Sequence, residues 1–163
     1  MKQERGFTLI EMVVTAALVG LVAMLSLPLY EVAATRAKES ELRQALRQIR
    51  NALDSYKEAY ARGLIANDPA HSAEPGASGY PPSLRTLVDG VDNGGDPNHG
   101  KLVFLRRIPR DPFYSDPAIP AENTWALRSY ASPVDDPQPG ADVYDVMSRS
   151  GRTGSNGIPY KEW

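Results

Sequence analysis

One stretch of this chain brings together a peptide bond and two groups whose types and spacing could do chemistry. Gly6-Phe7 sets a small residue before an aromatic one, and Glu11 follows four residues after Phe7. Cutting the chain between Gly6 and Phe7 would create an α-amino group four residues ahead of the one charge in an apolar run that continues to Leu27. A lone carboxylate near the start of a spanning helix is costly and needs a partner or a task. It can snorkel to the headgroups. In a packed array of such helices, the Phe7 amine of one subunit could instead neutralise Glu11 of the next.

The element that must carry these groups is a helix. With Lys2 and Arg5 ahead of it, the apolar run has about the 20 residues that a helix needs to cross the hydrocarbon core of a bilayer. Basic residues before the span favour a cytoplasmic N-terminus, with Arg36 and Lys38 beyond the span working against that count. A secretory signal peptide shares the basic-then-apolar layout, but its apolar region is shorter and rarely carries an acid. No small-x-small cleavage site follows here before helical periodicity takes over.

From Glu31 the chain turns charged and keeps a helical pattern. Leu42, Ala45, Leu46, Ile49, Leu53, Tyr56 and Tyr60 recur at three or four residues and form one stripe. Glu39, Arg43, Arg47, Arg50, Asp54, Lys57 and Glu58 are expected on the opposite, solvated face, with Glu39 placed to pair with Arg43 one turn on. The spacing predicts a continuous helix from about Thr8 to Tyr60, bent or locally melted at Pro28 and ended by Gly63.

Every proline except Pro28 follows Gly63, so the remainder is loop-rich and holds only short elements. Asn67 to Gly79 and Asp89 to Gly100 read as loops. Ser83 to Val88 reads as a short helix capped by Ser83. Strands are expected within Lys101 to Leu105, Thr124 to Ala131 and Ala141 to Met147, the first being apolar enough to be helical instead. The segment Ser148 to Trp163 stays loose unless Tyr160 or Trp163 docks it.

Composition narrows the function. The net charge is −2, and removal of Met1 to Gly6 takes away Lys2, Arg5 and Glu4, leaving −3. Nothing in that balance favours nucleic acid as a partner. There is no cysteine, hence no disulfide framework and no thiolate chemistry. His71 and His99 sit in loops without an acid or nucleophile at motif spacing, and no nucleophile elbow, zinc-protease helix or phosphate loop occurs. Asp135-Asp136, beside Pro137, are explained by turn chemistry. Asp89, Asp92 and Asp96, with Asn93, could supply oxygens to a metal, although their spacing is not that of an EF-hand. The chain is therefore expected not to be an enzyme.

Gly6-Phe7-Thr8-Leu9-Ile10-Glu11 resembles the prepilin signature of type IV pilins and type II secretion pseudopilins. The resemblance implies cleavage after Gly6 by a prepilin peptidase, N-methylation of Phe7, Glu11 as the registering glutamate of assembly, and Pro28 as the family's helix proline. Further along, Tyr80-Pro81-Pro82-Ser83-Leu84, Ile108-Pro109-Arg110-Asp111-Pro112-Phe113, Tyr130 and Tyr144-Asp145-Val146-Met147-Ser148 follow the order seen in major pseudopilins. That family usually carries an aspartate-rich, calcium-binding loop after its Tyr-Asp strand. This chain has Ser150-Gly151-Arg152-Thr153-Gly154-Ser155-Asn156-Gly157 there, an arginine and no carboxylate, a poor cage for a cation that takes about six to eight oxygens. No cofactor is expected, and the missing aspartate-rich loop leaves the calcium of the family in doubt.

The expectation is thus an α+β, pilin-like fold: a long N-terminal α-helix, half transmembrane and half amphipathic, packed against a small antiparallel sheet with a loop-rich C-terminal region. Residues 1–6 would be the leader, 7–30 the membrane and filament-core helix, 31–62 the amphipathic helix and 63–163 a periplasmic head. The implied role is a structural subunit of a type II secretion pseudopilus in a bacterial inner membrane, spanning once with the N-terminus cytoplasmic. The resemblance implies as partners other copies of the chain, minor pseudopilins, the inner-membrane assembly platform with its ATPase, and the prepilin peptidase. The alternatives are a type IV pilin or minor pilin of an adhesion or motility filament, and a single-span periplasmic binding protein that never assembles. Protein recovered from its native membrane should give an intact mass starting at methylated Phe7. A start at Met1 in a host with a working prepilin peptidase would favour the anchored protein, and a start beyond Pro28 would mark a signal peptide.

Overall fold

The computed structural model describes residues 6–65, 78–97 and 100–163. Lys2, Arg5, His71, His99 and nearly all of the Asn67 to Gly79 loop lie outside the described residues. The chain divides into two compact units, 1–37 and 38–163.

Helix α1 runs from Leu9 to Ala61. Thr8 starts it as an N-cap: its hydroxyl accepts the Glu11 N–H at 3.3 Å and its carbonyl accepts the Met12 N–H at 3.2 Å. The helix is unbroken through Pro28, so the turn there is not melted. It ends in a Schellman motif, in which the Gly63 N–H donates to the Tyr60 carbonyl and the Leu64 N–H to that of Ala59. Gly63 takes φ +71°, the left-handed value this motif needs and a side chain would resist.

Within residues 38–163, the stripe on α1 is the spine of the core. Leu42, Ala45, Leu46, Ile49, Leu53 and Tyr56 are all buried, joined by Ala52 and Ala59. Helix α2, Thr86–Asp89, contributes Leu87, with Leu84 just ahead of it. Ser83 starts this turn, its hydroxyl accepting the Thr86 N–H at 3.4 Å. The carbonyl of Leu87 then accepts the N–H groups of both Phe104 and Leu105, which draws the 103–105 segment onto the core.

Among the described residues the strands form two separate antiparallel ladders. In the first, β1 (Val91–Asp92) pairs with β2 (Lys101–Leu102). The expected loop Asp89 to Gly100 therefore contains a strand, and the expected strand from Lys101 stops at Leu102. In the second, β3 (Trp125–Arg128) pairs with β4 (Asp145–Ser148), with Trp125 opposite Ser148 and Leu127 opposite Val146. Both strands are shorter than expected for identifiable reasons. A 3-10 turn, Ala121–Thr124, takes the start of the first. Ahead of β4, Val143 donates its N–H to the Pro81 carbonyl and cannot yet join the ladder. Trp125 is buried, its indole N–H satisfied by the Pro109 carbonyl at 2.8 Å.

Truncating a stripe residue should remove transfer energy and leave a cavity. Leu53→Ala is expected to cost about 2–5 kcal/mol in denaturant unfolding of the detergent-solubilised chain, followed by Trp125 fluorescence. Asn51→Ala, on the exposed side of the same turn, should stay within about 0.5 kcal/mol.

Candidate processing and assembly site

Gly6, Phe7 and Thr8 precede α1 in non-helical backbone and are exposed, Phe7 at 78%. A Cβ added to Gly6 would meet nothing within 4 Å, and Gly6 has no left-handed φ. Neither packing nor backbone strain among the described residues calls for glycine at this position.

Glu11 occupies the third position of α1, where its charge complements the partial positive charge of the helix start. Thr8-Leu9-Ile10-Glu11 has the Thr-x-x-Glu spacing of a capping box, of which the Thr8 half is present. The Glu11 side chain is exposed, without a partner among the described residues. Around and beyond it, Leu9, Ile10, Met12, Val13, Val14, Leu18, Val19, Leu21, Val22 and Met24 are all more than half exposed. This is an apolar surface on every side of a helix, long and apolar enough to cross a membrane and covered by none of the described residues. Pro28 lies within α1.

The head is fastened at residues whose importance the sequence reading missed. Glu39, expected on the solvated face beside Arg43, is 3% exposed. One carboxylate oxygen accepts the Ser155 N–H at 2.6 Å and the Tyr160 hydroxyl at 3.0 Å, and the other accepts the Ser155 hydroxyl at 2.5 Å. Arg43 turns to the Trp163 ring, its guanidinium 4.3 Å from the ring centre. Arg50, also expected on the solvated face, is half-buried: its Nε donates to Asp145 at 2.8 Å and its Nη2 to the Trp163 carbonyl oxygen at 2.8 Å. The segment Ser155 to Trp163 is docked by these contacts, through both of the aromatics named for the task.

The motifs scattered along the second half meet in space. Tyr80, Tyr130 and Tyr144 form one cluster with ring centres 5.1–5.9 Å apart. Burial, and then its tyrosine and aspartate neighbours, raise the Tyr80 phenol above its ordinary range. Asp111, in the Pro-Arg-Asp-Pro turn, is 1% exposed. Its carboxylate accepts the Phe113 N–H and the Ser148 hydroxyl, tying the turn to β4. Phe113 then stacks on Tyr160 at 4.1 Å.

The weak metal candidates are not drawn together. Asp89 faces Arg85 at 3.5 Å, Asp92 stands opposite Lys101 in the first ladder, and Asp96 accepts the Gly100 N–H. Among the described residues no three His, Cys, Asp or Glu side chains are grouped to hold an ion. Asp135 and Asp136 are exposed in a turn that Ser132 and Gln138 close.

The prokaryotic N-terminal methylation motif matches residues 1–27. The type II secretion system core protein G of Klebsiella pneumoniae is 33% identical over 122 residues, which cover 71% of this chain and 74% of that protein. No solved structure matches.

Burial alone would raise the Glu39 carboxyl. The hydrogen bonds from the Ser155 hydroxyl and N–H and from Tyr160, with the charge of Arg43, outweigh it and hold the group below the usual carboxylate range. The Tyr160 phenol is raised by its burial and by Glu39, against the opposing charge of Arg152. A depressed acid contributes stability that is present above its unfolded pKa and lost as pH falls through the folded one. A raised phenol contributes stability that is present below its unfolded pKa and lost as pH rises through the folded one. Head stability in denaturant should hold across neutral pH and fall below about pH 4, losing about 1–3 kcal/mol with the Glu39 bonds, and fall again above about pH 10. Stability that rose on acidification would contradict the arrangement.

Proposed function

The chain belongs to the pseudopilin family of type II secretion core protein G, and from that premise we propose that it is a structural subunit of a periplasmic pseudopilus, assembled through α1 and without catalytic activity. Before assembly, residues 7–30 cross the inner membrane with the leader on the cytoplasmic side and residues 63–163 in the periplasm. A prepilin peptidase cuts after Gly6, Phe7 is N-methylated, and an ATPase-driven membrane platform lifts the subunit into a helical polymer topped by minor pseudopilins. The polymer supports export of folded proteins.

The observation that carries this reading is the all-round apolar exposure between Phe7 and Met24, directly behind the Gly6-Phe7 bond within the matched methylation motif. Such a surface needs lipid or other helices. Lipid tails are as apolar as the side chains, so moving the helix from bilayer to filament gains little from burial, and tight packing with polar pairing must supply the preference. Gly20 supports close packing: a Cβ there would meet nothing within the chain, yet glycine inside a helix costs about 1 kcal/mol relative to alanine. The polar pair is Glu11 with the Phe7 amine of a neighbouring subunit. Each charge would be costly in the filament core alone, and together they cancel.

Glu11→Ala or Glu11→Leu should therefore leave insertion and cleavage intact and reduce filament incorporation roughly a hundredfold, the effect of stranding a buried amine. Because the chain has no cysteine of its own, single cysteines introduced between Phe7 and Leu27 report assembly directly as cross-linked ladders. Normal ladders from the Glu11 variants would refute the pairing. Absence of ladders from the otherwise unaltered chain in a host with the full apparatus would refute assembly itself.

A further inference from the structure

The calcium that the family resemblance implies after the Tyr-Asp strand does not fit the residues this chain folds there. A hard cation needs oxygen lone pairs converging on one point. In the turn from Arg152 to Tyr160 four of the oxygens that could turn inward are engaged by donors. The Arg152 carbonyl accepts the Tyr160 N–H, that of Gly154 the Gly157 N–H, and that of Ile158 both the Gly154 N–H and the Trp163 indole N–H. The Asn156 side-chain oxygen accepts the Ile158 N–H at 3.1 Å. What the turn presents at its free side is the opposite of a cation cage: a backbone N–H and a hydroxyl of Ser155, with the Tyr160 hydroxyl beside them. All three donate to a carboxylate.

That carboxylate arrives from another element. Glu39 lies 116 residues before Ser155, on the stretch of α1 that belongs to the same compact unit. It is 3% exposed and both its oxygens are occupied. The contacts of Arg43 with the Trp163 ring and of Arg50 with the Trp163 oxygen continue the attachment along the same helix.

We propose that Glu39 does in this chain what a bound cation would do: it fastens the Arg152–Tyr160 turn and the segment through Trp163 onto α1, making the order of the head independent of calcium. A metal loop gathers acceptors around a positive centre, and here donors are gathered around a negative one. The same closure of the C-terminal segment follows from inverted charge. The clasp is internal to residues 38–163, so it stands or falls separately from whether the chain assembles.

The full chain in detergent micelles tests it, with calcium chloride or a chelator added and two readouts, thermal unfolding and limited proteolysis within Ser150 to Trp163. For the unaltered chain, neither readout should respond to calcium or to the chelator. Glu39→Gln keeps the shape but loses the charge and reverses one donor–acceptor relation. It should raise cleavage of the segment at least about tenfold, and calcium should not restore protection. Ser155→Ala, on an exposed turn, guards against a Glu39 variant that fails to fold, and should raise cleavage by a smaller factor in an otherwise folded head. A pH profile separates the clasp from mere filling of space. Protection should fall on acidification in the unaltered chain and fall less in Glu39→Gln, whose amide has no proton to gain; Arg43 on α1 and Ser155, Tyr160 and Arg152 on the segment face this position in both chains, and the Asp145 carboxylate that holds Arg50 is common to both. Calcium-dependent stabilisation of the unaltered chain, or full protection in both variants, would overturn the proposal.

Discussion

The rest of the structure depends on one helix having two incompatible surfaces in succession. As far as Met24 the side chains of α1 are apolar on every side apart from Glu11 and Thr15, and none of them is covered by the described residues. From Leu42 onward the same helix is apolar along one stripe only, and that stripe is buried by the head from Leu42 to Tyr56 and partly buried at Tyr60. A helix with all-round apolarity is stable in lipid or among other helices, and a striped one is stable against a domain.

The head is small and rich in loops, with two ladders of two and four residue pairs, so apolar burial alone is a thin basis for order. Its remote segments are returned to α1 and to each other by carboxylates. Asp111 joins the proline-rich turn to β4, Asp145 meets Arg50, and Glu39 meets the final segment. A buried carboxylate is expensive unless its lone pairs are satisfied, which makes the contacts of Asp111 and Glu39 intolerant of alternatives. Phe113 on Tyr160, and Tyr160 against Trp163, place apolar contact directly beside these polar junctions.

Much of this was legible in the residues. The limits of α1 were readable to within a residue, since Thr8 and Gly63 are capping residues and the stripe has an unambiguous period. The strands were readable only as neighbourhoods. A ladder of two residues, such as Val91–Asp92 with Lys101–Leu102, is shorter than any alternation can register, and its pairing is decided by the turn and by the Leu87 carbonyl. Glu39 was misplaced because it is charged and sits one turn before Arg43. The signal that could have placed it was positional: it lies three residues before Leu42, on the same row as Leu42, Leu46, Ile49 and Leu53. A charge on the core row needs a buried partner, but nothing in the sequence says that Ser155 and Tyr160 are that partner. The Tyr80, Tyr130 and Tyr144 cluster shows the complementary case, residues read as separate motifs that turn out to be one packing unit.

On the proposed reading, the position of Glu11 explains how one carboxylate could serve both before and after cleavage. As the third residue of α1 it lies in the turn whose unpaired N–H groups carry the helix's partial positive charge, a local compensation worth at most about 1–2 kcal/mol. That is enough near a membrane surface, where water and headgroups also reach the group. It is far short of what a carboxylate requires inside a packed array of helices, where removing one partner of a buried pair costs about 3–5 kcal/mol. On the proposed reading, cutting after Gly6 supplies the missing charge at Phe7, one turn from Glu11, and does so without altering any residue of the helix. On that reading, the first turn before the cut carries a negative charge without a partner among the described residues, which suits the membrane edge and disfavours the filament core. After the cut the turn would be neutral, so the same bond cleavage that removes the leader would also change which surroundings the helix prefers.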